Sequence, residues 1–160
     1  LLEYVVKTTE GPARFLDPVS AAKAVRAADI IGEFDIIKPN LLEAEILSGI
    51  RIRDEKGIRK AGDEFLDKGV QKVYITLGEN GVYYADRSSD GFIRPGDVEI
   101  VSATGAGDAF SAAIIMGFIK NLSTEQTAKL GMAAAAFAMK SSTAVNKNIC
   151  MEGIRCLANI

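Results

Sequence analysis

The sequence predicts an α/β fold of three layers, α/β/α, built on a mostly parallel sheet. Three observations carry this reading. Short apolar runs bounded by proline or glycine alternate with longer stretches whose apolar residues recur at helical spacing. One run, near Val101, passes through Thr104–Gly105–Ala106–Gly107 directly into an apolar helix, the strand–turn–helix joint of such a sheet. The composition, 48% hydrophobic and 25% charged over 160 residues, suits a single globular domain and excludes disordered, collagen-like and low-complexity readings.

The elements follow in order. Arg14–Phe15–Leu16–Asp17–Pro18 reads as a short strand stopped by proline, with Ser20 as the cap of an Ala-rich helix running to about Ala28. Phe34–Lys38 is a second strand ended by Pro39, and Asn40 is placed to cap a helix Leu41 to Ser48 that Gly49 stops. Ile58, Ala61, Phe65 and Leu66 are spaced for a helix Asp54 to Lys68, closed by Gly69 before an apolar strand. Lys72–Leu77 and Val82–Asp86, rich in Val, Ile, Thr and Tyr and separated by Gly78–Glu79–Asn80–Gly81, predict a hairpin and hence a mixed sheet edge. Phe92–Pro95 and Val98–Val101 read as further strands, and Asp108 to Lys120 as a long apolar helix. Ser123 with Gln126 three residues on predicts a capping box for a helix Thr124 to Lys140, and Met151 to Leu157 a last short helix. In a sheet of this kind the ligand is expected at the carboxyl ends of the strands.

Charge and composition narrow the function. With 19 basic and 21 acidic residues the net charge is −2, and no polybasic block is present, which argues against nucleic-acid and membrane-surface binding. The chain has no histidine, so triads built on imidazole and zinc sites that need it are excluded, and acid–base chemistry falls to a carboxylate, Lys, Tyr or Cys. Cys150 and Cys156 match neither a CxxC motif nor a disulfide framework and read as buried or half-buried thiols in a reducing, cytoplasmic compartment. The apolar runs Ala109–Ile119 and Met132–Met139 are far shorter than the roughly 20 residues of a membrane span. The opening residues Leu1–Lys7 carry no basic region or cleavage site, so they do not read as a signal peptide.

The segment Val101–Phe110 carries the most chemistry. Glycines let successive backbone N–H groups converge on an anion, and the helix N-terminus adds partial positive charge there. It is not a Walker A loop, which needs GxxxxGK[ST], and Phe110 replaces the third glycine of GxGxxG. A carboxylate, Asp108, inside an anion-binding turn would repel phosphate unless it serves as general base, taking the proton of an attacking hydroxyl beside the transferring group. Taken alone, Asp108 is equally a first-turn acid that stabilises its helix. Asn40 and Glu43, one turn apart at a strand end, can face one pocket, with Glu43 holding hydrated Mg²⁺ through water; alone they are an N-cap and a first-turn charge.

Thr104–Gly105–Ala106–Gly107–Asp108–Ala109–Phe110 resembles the second signature of the ribokinase-like (PfkB) carbohydrate kinases, a Rossmann-like fold family. There the aspartate is the catalytic base and the preceding N–H groups form the anion hole, which implies those roles for Asp108 and for Gly105, Ala106 and Gly107. Pro39–Asn40–Leu41–Leu42–Glu43 resembles the family's N-x-x-E element, associated with magnesium and phosphate. Thr76–Gly78–Gly81 resembles its T-x-G-x-x-G nucleotide segment. The Ala133–Ala136 helix with Thr143–Ala144–Val145–Asn146 resembles the wall around adenine, so Thr104, Ala135, Thr143 and Asn146 join Thr76, Gly78 and Gly81 as implied nucleotide contacts. Asp17–Pro18–Val19–Ser20–Ala21–Ala22–Lys23, Ile37–Lys38–Pro39–Asn40 and Gly81–Val82–Tyr83–Tyr84–Ala85–Asp86 resemble most the pseudouridine-kinase-like branch.

The resemblance implies ATP and Mg²⁺, a sugar or nucleoside acceptor, and a C-terminal portion of a longer kinase with its sheet incomplete at the N-terminal side. The alternative it leaves is a truncated nucleotide-binding module without turnover. A sheet so cut would expose an apolar edge and helix faces, and self-association or homo-oligomer formation is expected. The family usually has aspartate and threonine where this chain has Ser102 and Ala103. Ser102 lacks the charge that helps hold a monovalent cation, which leaves backbone carbonyls as its alternative ligands.

Overall fold

The computed structural model describes residues 2–8, 11–96, 101–141 and 150–160. The elements run α1 (Leu2–Thr8), β1 (Phe15–Leu16), α2 (Ala21–Ala24), a 3₁₀ segment (Val25–Glu33), β2 (Ile36–Ile37), α3 (Leu41–Ser48), α4 (Glu55–Asp67), β3 (Lys72–Thr76) and β4 (Val82–Asp86). After them come β5 (Asp90–Ile93), α5 (Ala106–Ile119), α6 (Thr124–Met139) and α7 (Met151–Ala158). The five strands lie in sequence order: β1, β2 and β3 are parallel, and β3 pairs antiparallel with β4 in the register Val73↔Ala85, Ile75↔Tyr83. The chain divides into two compact units, Leu1–Gly78 with Val82–Phe92, and Glu79–Gly81 with Ile93–Ile160.

The first unit buries its core between the sheet and the helices that connect the parallel strands. Ile58, Ala61, Phe65 and Leu66 form the buried stripe of α4, as their spacing predicts, and meet Ile37, Val73, Ile75 and Tyr83. Full burial of a side chain such as Phe65 contributes about 1.5–3 kcal/mol. Asp54 caps α4 by accepting the Gly57 N–H at 2.8 Å. α3 has the predicted bounds, and Gly49 ends it at φ 73°, a left-handed conformation suited to glycine.

Four expectations change. Ser20 sits at the N-cap of α2, but its hydroxyl makes no capping bond; its carbonyl instead accepts the Lys23 and Ala24 N–H groups. The Ala-rich helix does not run to Ala28 as an α-helix: four α-residues pass into a 3₁₀ segment interrupted at Ile30. Near the end of that segment Gly32 lies against the Lys68 carbonyl so closely that a Cβ would collide with it. The last hairpin strand starts at Asp90 rather than Phe92, since Asp86 Oδ1 accepts the Ser88 and Ser89 N–H groups at 2.7 and 2.9 Å and closes a tight turn. α5 begins at Ala106, two residues early, with Gly105 as its N-cap at φ 86°. Of the expected strand Val98–Val101, residues 98–100 lie outside the described residues.

In the second unit, α5 and α6 cross closely. A Cβ on Gly117 would meet Thr127 Oγ1 at 2.6 Å, and one on Gly131 would meet the Phe110 ring at 2.7 Å. Leu130, Ala133, Ala134, Ala113, Ile154 and Ala158 form the apolar contact among α5, α6 and α7. The predicted capping box opens α6, with Ser123 and Gln126 exchanging bonds of 3.1 Å. Cys150 and Cys156 are both free and exposed, not buried as expected, because α7 turns Ile154 and Ala158 inward and leaves the thiols on other faces. Among the described residues no helix is long and apolar enough to cross a membrane.

Candidate active site

In the first unit the carboxyl ends of β1, β2 and β3 bring together Asp17, Lys38, Asn40, Glu43 and Thr76. The Lys38 N–H donates to the Leu16 carbonyl at 2.9 Å, the Thr76 N–H donates to the Pro39 carbonyl at 2.9 Å, and Asn40 bridges Thr76 in parallel register. Pro39 turns the chain out of β2, and Asn40 then opens α3. Its Oδ1 accepts the Glu43 N–H at 2.9 Å, and Glu43 Oε2 accepts the Asn40 N–H at 2.9 Å. The N-cap reading of this pair is therefore realised in full. Asn40 is exposed, whereas Glu43 is only 2% exposed, and one of its carboxylate oxygens is committed to the cap.

Beside them Lys38 is 7% exposed and its Nζ lies 3.0 Å from Asp17 Oδ2. A buried lysine is tolerated only with such a partner. Sequence reasoning passed it over, although a lysine between Ile37 and Pro39 in an apolar strand was a visible signal. Asp17 also holds the Val19 N–H at 3.3 Å, and Val19 takes φ 65°, a left-handed conformation rare for a β-branched residue. Thr76 ends β3 with its hydroxyl 3.5 Å from the Pro39 carbonyl, and Gly78, exposed at φ 61°, opens a 3₁₀ turn through Asn80.

The second unit holds Gly81, Thr104, Gly105, Ala106, Gly107, Asp108 and Ala135. Gly81 is buried at φ 96°, where a Cβ would strike the Ile93 carbonyl oxygen, so only glycine fits. Ahead of α5 the chain is tied to the end of α6 by the Val101 and Ser102 N–H groups on the Met139 carbonyl, at 2.9 and 3.1 Å. Ser102 Oγ accepts the Thr104 N–H at 3.2 Å, and the Ala106 N–H turns back to the Ala103 carbonyl at 3.3 Å. The first bond of α5 proper runs from the Ala109 N–H to the Gly105 carbonyl at 3.0 Å. The Gly107 and Asp108 N–H groups thus stand in the first turn, where a helix offers them no acceptor, and Gly105 has no side chain to cap them. This open turn, with the partial positive charge of the helix end, is suited to phosphoryl oxygens. Asp108, the third residue of α5, is exposed on that same turn. Ala135 is half-buried on α6; Thr143 and Asn146 lie outside the described residues.

The comparisons agree with this architecture. A crystal structure from Clostridium perfringens, of a protein described as a sugar kinase, superposes with a TM-score of 0.93 at 33% identity over 99% of this chain and 50% of that one. Ribokinase from Thermotoga maritima gives a TM-score of 0.79 at 25% identity, covering 98% and 52% of the two chains. The fold is accordingly the three-layer α/β/α fold of the ribokinase-like sugar kinases. The family model for pfkB family carbohydrate kinases matches residues 7–149, and the chain belongs to that family. Among curated relatives it is 27% identical to the pseudouridine kinase of Escherichia coli K12 over 154 residues, 96% of this chain and 49% of that protein. It is 34% identical to the ribokinase of Haemophilus influenzae over 124 residues, 78% and 40% of the two lengths. The chain spans about half the length of these relatives.

Proposed function

We propose that the protein carrying this chain transfers the γ-phosphate of ATP to a hydroxyl of a sugar or nucleoside, with Asp108 as the general base. The observation that carries the reading is the first turn of α5, where Gly105 provides no side-chain cap and an exposed carboxylate shares the turn with backbone N–H groups, in a chain of the PfkB family. Asp108 would take the acceptor hydroxyl's proton as the new P–O bond forms. The N–H groups of the Gly105–Ala106–Gly107 turn would stabilise charge on the transferring phosphoryl oxygens. Thr76, Gly78, Gly81, Thr104, Ala135, Thr143 and Asn146 are the proposed nucleotide contacts. A pseudouridine-like or ribose-like acceptor is supported by the similarity to pseudouridine kinase and ribokinase.

The donor set on the protein suits Mg²⁺ in one manner. Among the described residues no group of three or more acidic, cysteine or histidine side chains could cage a metal. Glu43, with one oxygen committed to Asn40, fits an ion carried by nucleotide phosphates and water. Asn40 and Glu43 would hold that hydrated ion, which neutralises phosphate charge. Ser102 brings no charge for a monovalent cation, and its hydroxyl already accepts the Thr104 N–H.

The test is Asp108→Asn in the complete kinase, assayed with ATP–Mg²⁺ and pseudouridine or ribose. Turnover should fall by about 10²–10⁴-fold while the nucleotide dissociation constant stays within about twofold, because only proton removal is lost. Unchanged kcat in the variant would remove Asp108 from the mechanism.

A further inference from the structure

The proposed phosphotransfer chemistry leaves Lys38 unused, although this lysine is buried at the carboxyl end of β2. Phe15↔Ile36 and Leu16↔Ile37 pair in parallel, and the Lys38 N–H continues the ladder to the Leu16 carbonyl, which sets Asp17 beside Lys38 at the two strand ends. Strand alternation puts Lys38 on the face opposite Ile37, which belongs to the core under α4. Asp17 is held at both oxygens: Oδ1 accepts the Val19 N–H at 3.3 Å, and Oδ2 lies 3.0 Å from Lys38 Nζ. Among the described residues Asp17 is the anion that meets this ammonium, and one carboxylate oxygen does not use up its three N–H donors. A buried ion pair is often no more stabilising than apolar residues of similar volume. Backbone bonds already join β1 to β2, so the fold alone does not call for the lysine. Val19, next to the pair, holds its left-handed backbone with its side chain 69% exposed, a strain of the kind that collects at ligand sites.

From this placement we infer that Lys38 is a ligand for the phosphates of the nucleotide and that Asp17 is the residue that positions it. The inference rests on the phosphotransfer reading and adds a cation to it, because Asn40, Glu43 and Thr76, from the same strand ends, bring no positive charge to a polyphosphate. The carboxyl ends of parallel strands are where such sheets take their ligands. A lysine acts on phosphate as a point charge, and a carboxylate that is itself clamped, here by the Val19 N–H, fixes where that charge stands.

The double substitution Asp17→Asn, Lys38→Met in the protein carrying this chain tests the inference without leaving a buried charge unpaired. Calorimetry should show ATP–Mg²⁺ binding weakened at least tenfold, with adenosine, which carries no phosphate, held within about twofold of wild type. Lys38→Met alone should show the same contrast. Asp17→Asn alone, which keeps an oxygen for the Val19 N–H, should weaken ATP–Mg²⁺ at least threefold, and should add nothing once residue 38 is Met. Wild-type affinity for ATP–Mg²⁺ in the double variant would overturn the inference, and so would an equal loss for adenosine, the mark of a purely structural pair. Unchanged or tighter ATP–Mg²⁺ binding in Asp17→Asn would remove Asp17 from its positioning role. A wild-type protein that binds no ATP–Mg²⁺ would overturn the phosphotransfer reading itself, and this inference with it.

Discussion

Asn40 shows how one side chain can serve both fold and chemistry. Its exchange of hydrogen bonds with Glu43 fixes the start of α3, so Asn40→Ala should cost about 1 kcal/mol of stability in urea denaturation. An unchanged midpoint would mean that the cap is replaced by water at no cost. Because a cap satisfies the same residues that a Mg²⁺–phosphate network would use, spacing alone could never separate the two roles. The Asp17–Lys38 pair was half legible: a lysine in an apolar strand is a local signal, but its partner comes from the neighbouring strand, and no local pattern names it. Tyr83 is a second buried polar residue. Its hydroxyl is buried without a hydrogen-bond partner, and burial, helped by the charge of Asp63 and opposed by that of Arg59, pushes its pKa from 10.0 up to about 12. Arg59 lies 5.9 Å from the Tyr83 ring centroid and also pairs with Asp90. The folded state holds the phenol neutral longer than the unfolded chain does. The stability this contributes is intact below pH 10 and is lost as pH rises toward 12. Urea denaturation across that range should show wild type losing stability relative to Tyr83→Phe, and parallel pH curves would contradict the assignment.

At the scale of elements, helices with their own punctuation were legible. Leu41–Ser48 and Thr124–Met139 appear almost as their caps and periodicity predict, since the Asn40 and Ser123 boxes and Gly49 act over a single turn. Where neighbours decide, the sequence was mute. The 3₁₀ segment Val25–Glu33 reads as helix, and the close approach of its Gly32 to the Lys68 carbonyl, a contact between distant residues, is invisible in a local pattern. The early start of α5 rests on Gly105 taking φ 86°, which a glycine permits without announcing. The α5–α6 crossing carries its own prediction. Gly131→Ala would press a methyl group into the buried Phe110 ring at 2.7 Å, and Gly117→Ala would press one against Thr127 at 2.6 Å. Each should destabilise the fold by about 1–3 kcal/mol in thermal or urea unfolding. On the role proposed for Asp108 in the first turn of α5, the same substitutions in the protein carrying this chain should also lower turnover. Wild-type stability in both variants would show that the helices separate at little cost.

At the scale of the whole molecule, α5 is apolar nearly all round, and the described structure does not cover all of it. Ile115 is 45% exposed, Phe118 38% and Ile119 64%, on the last turns of a helix whose other side is packed on α6. Leu41 and Leu42 are likewise exposed on the first turn of α3, at the carboxyl end of the sheet, and among the described residues β1 is an edge strand beside β2. A helix that is hydrophobic on every face normally belongs to an interior, and three large exposed side chains within one turn and a half form the kind of patch that seeks a partner. The relatives matched are about twice this length, so in a full-length kinase there is chain enough to cover such a face. The 160-residue chain on its own should therefore self-associate, and light scattering should give a mass above that of a monomer. Replacing Ile115 with Lys and Ile119 with Glu, both exposed and spaced i, i+4, should return it toward the monomer without loss of helix content by circular dichroism. The edge strand β1 is only two residues long, too short to template much pairing, so the helix face rather than the sheet edge should dominate. A wild-type chain that is monodisperse and monomeric at tens of micromolar would show that these side chains are tolerated in water. A double variant that stays associated would move the contact to Leu41, Leu42 and the edge of β1.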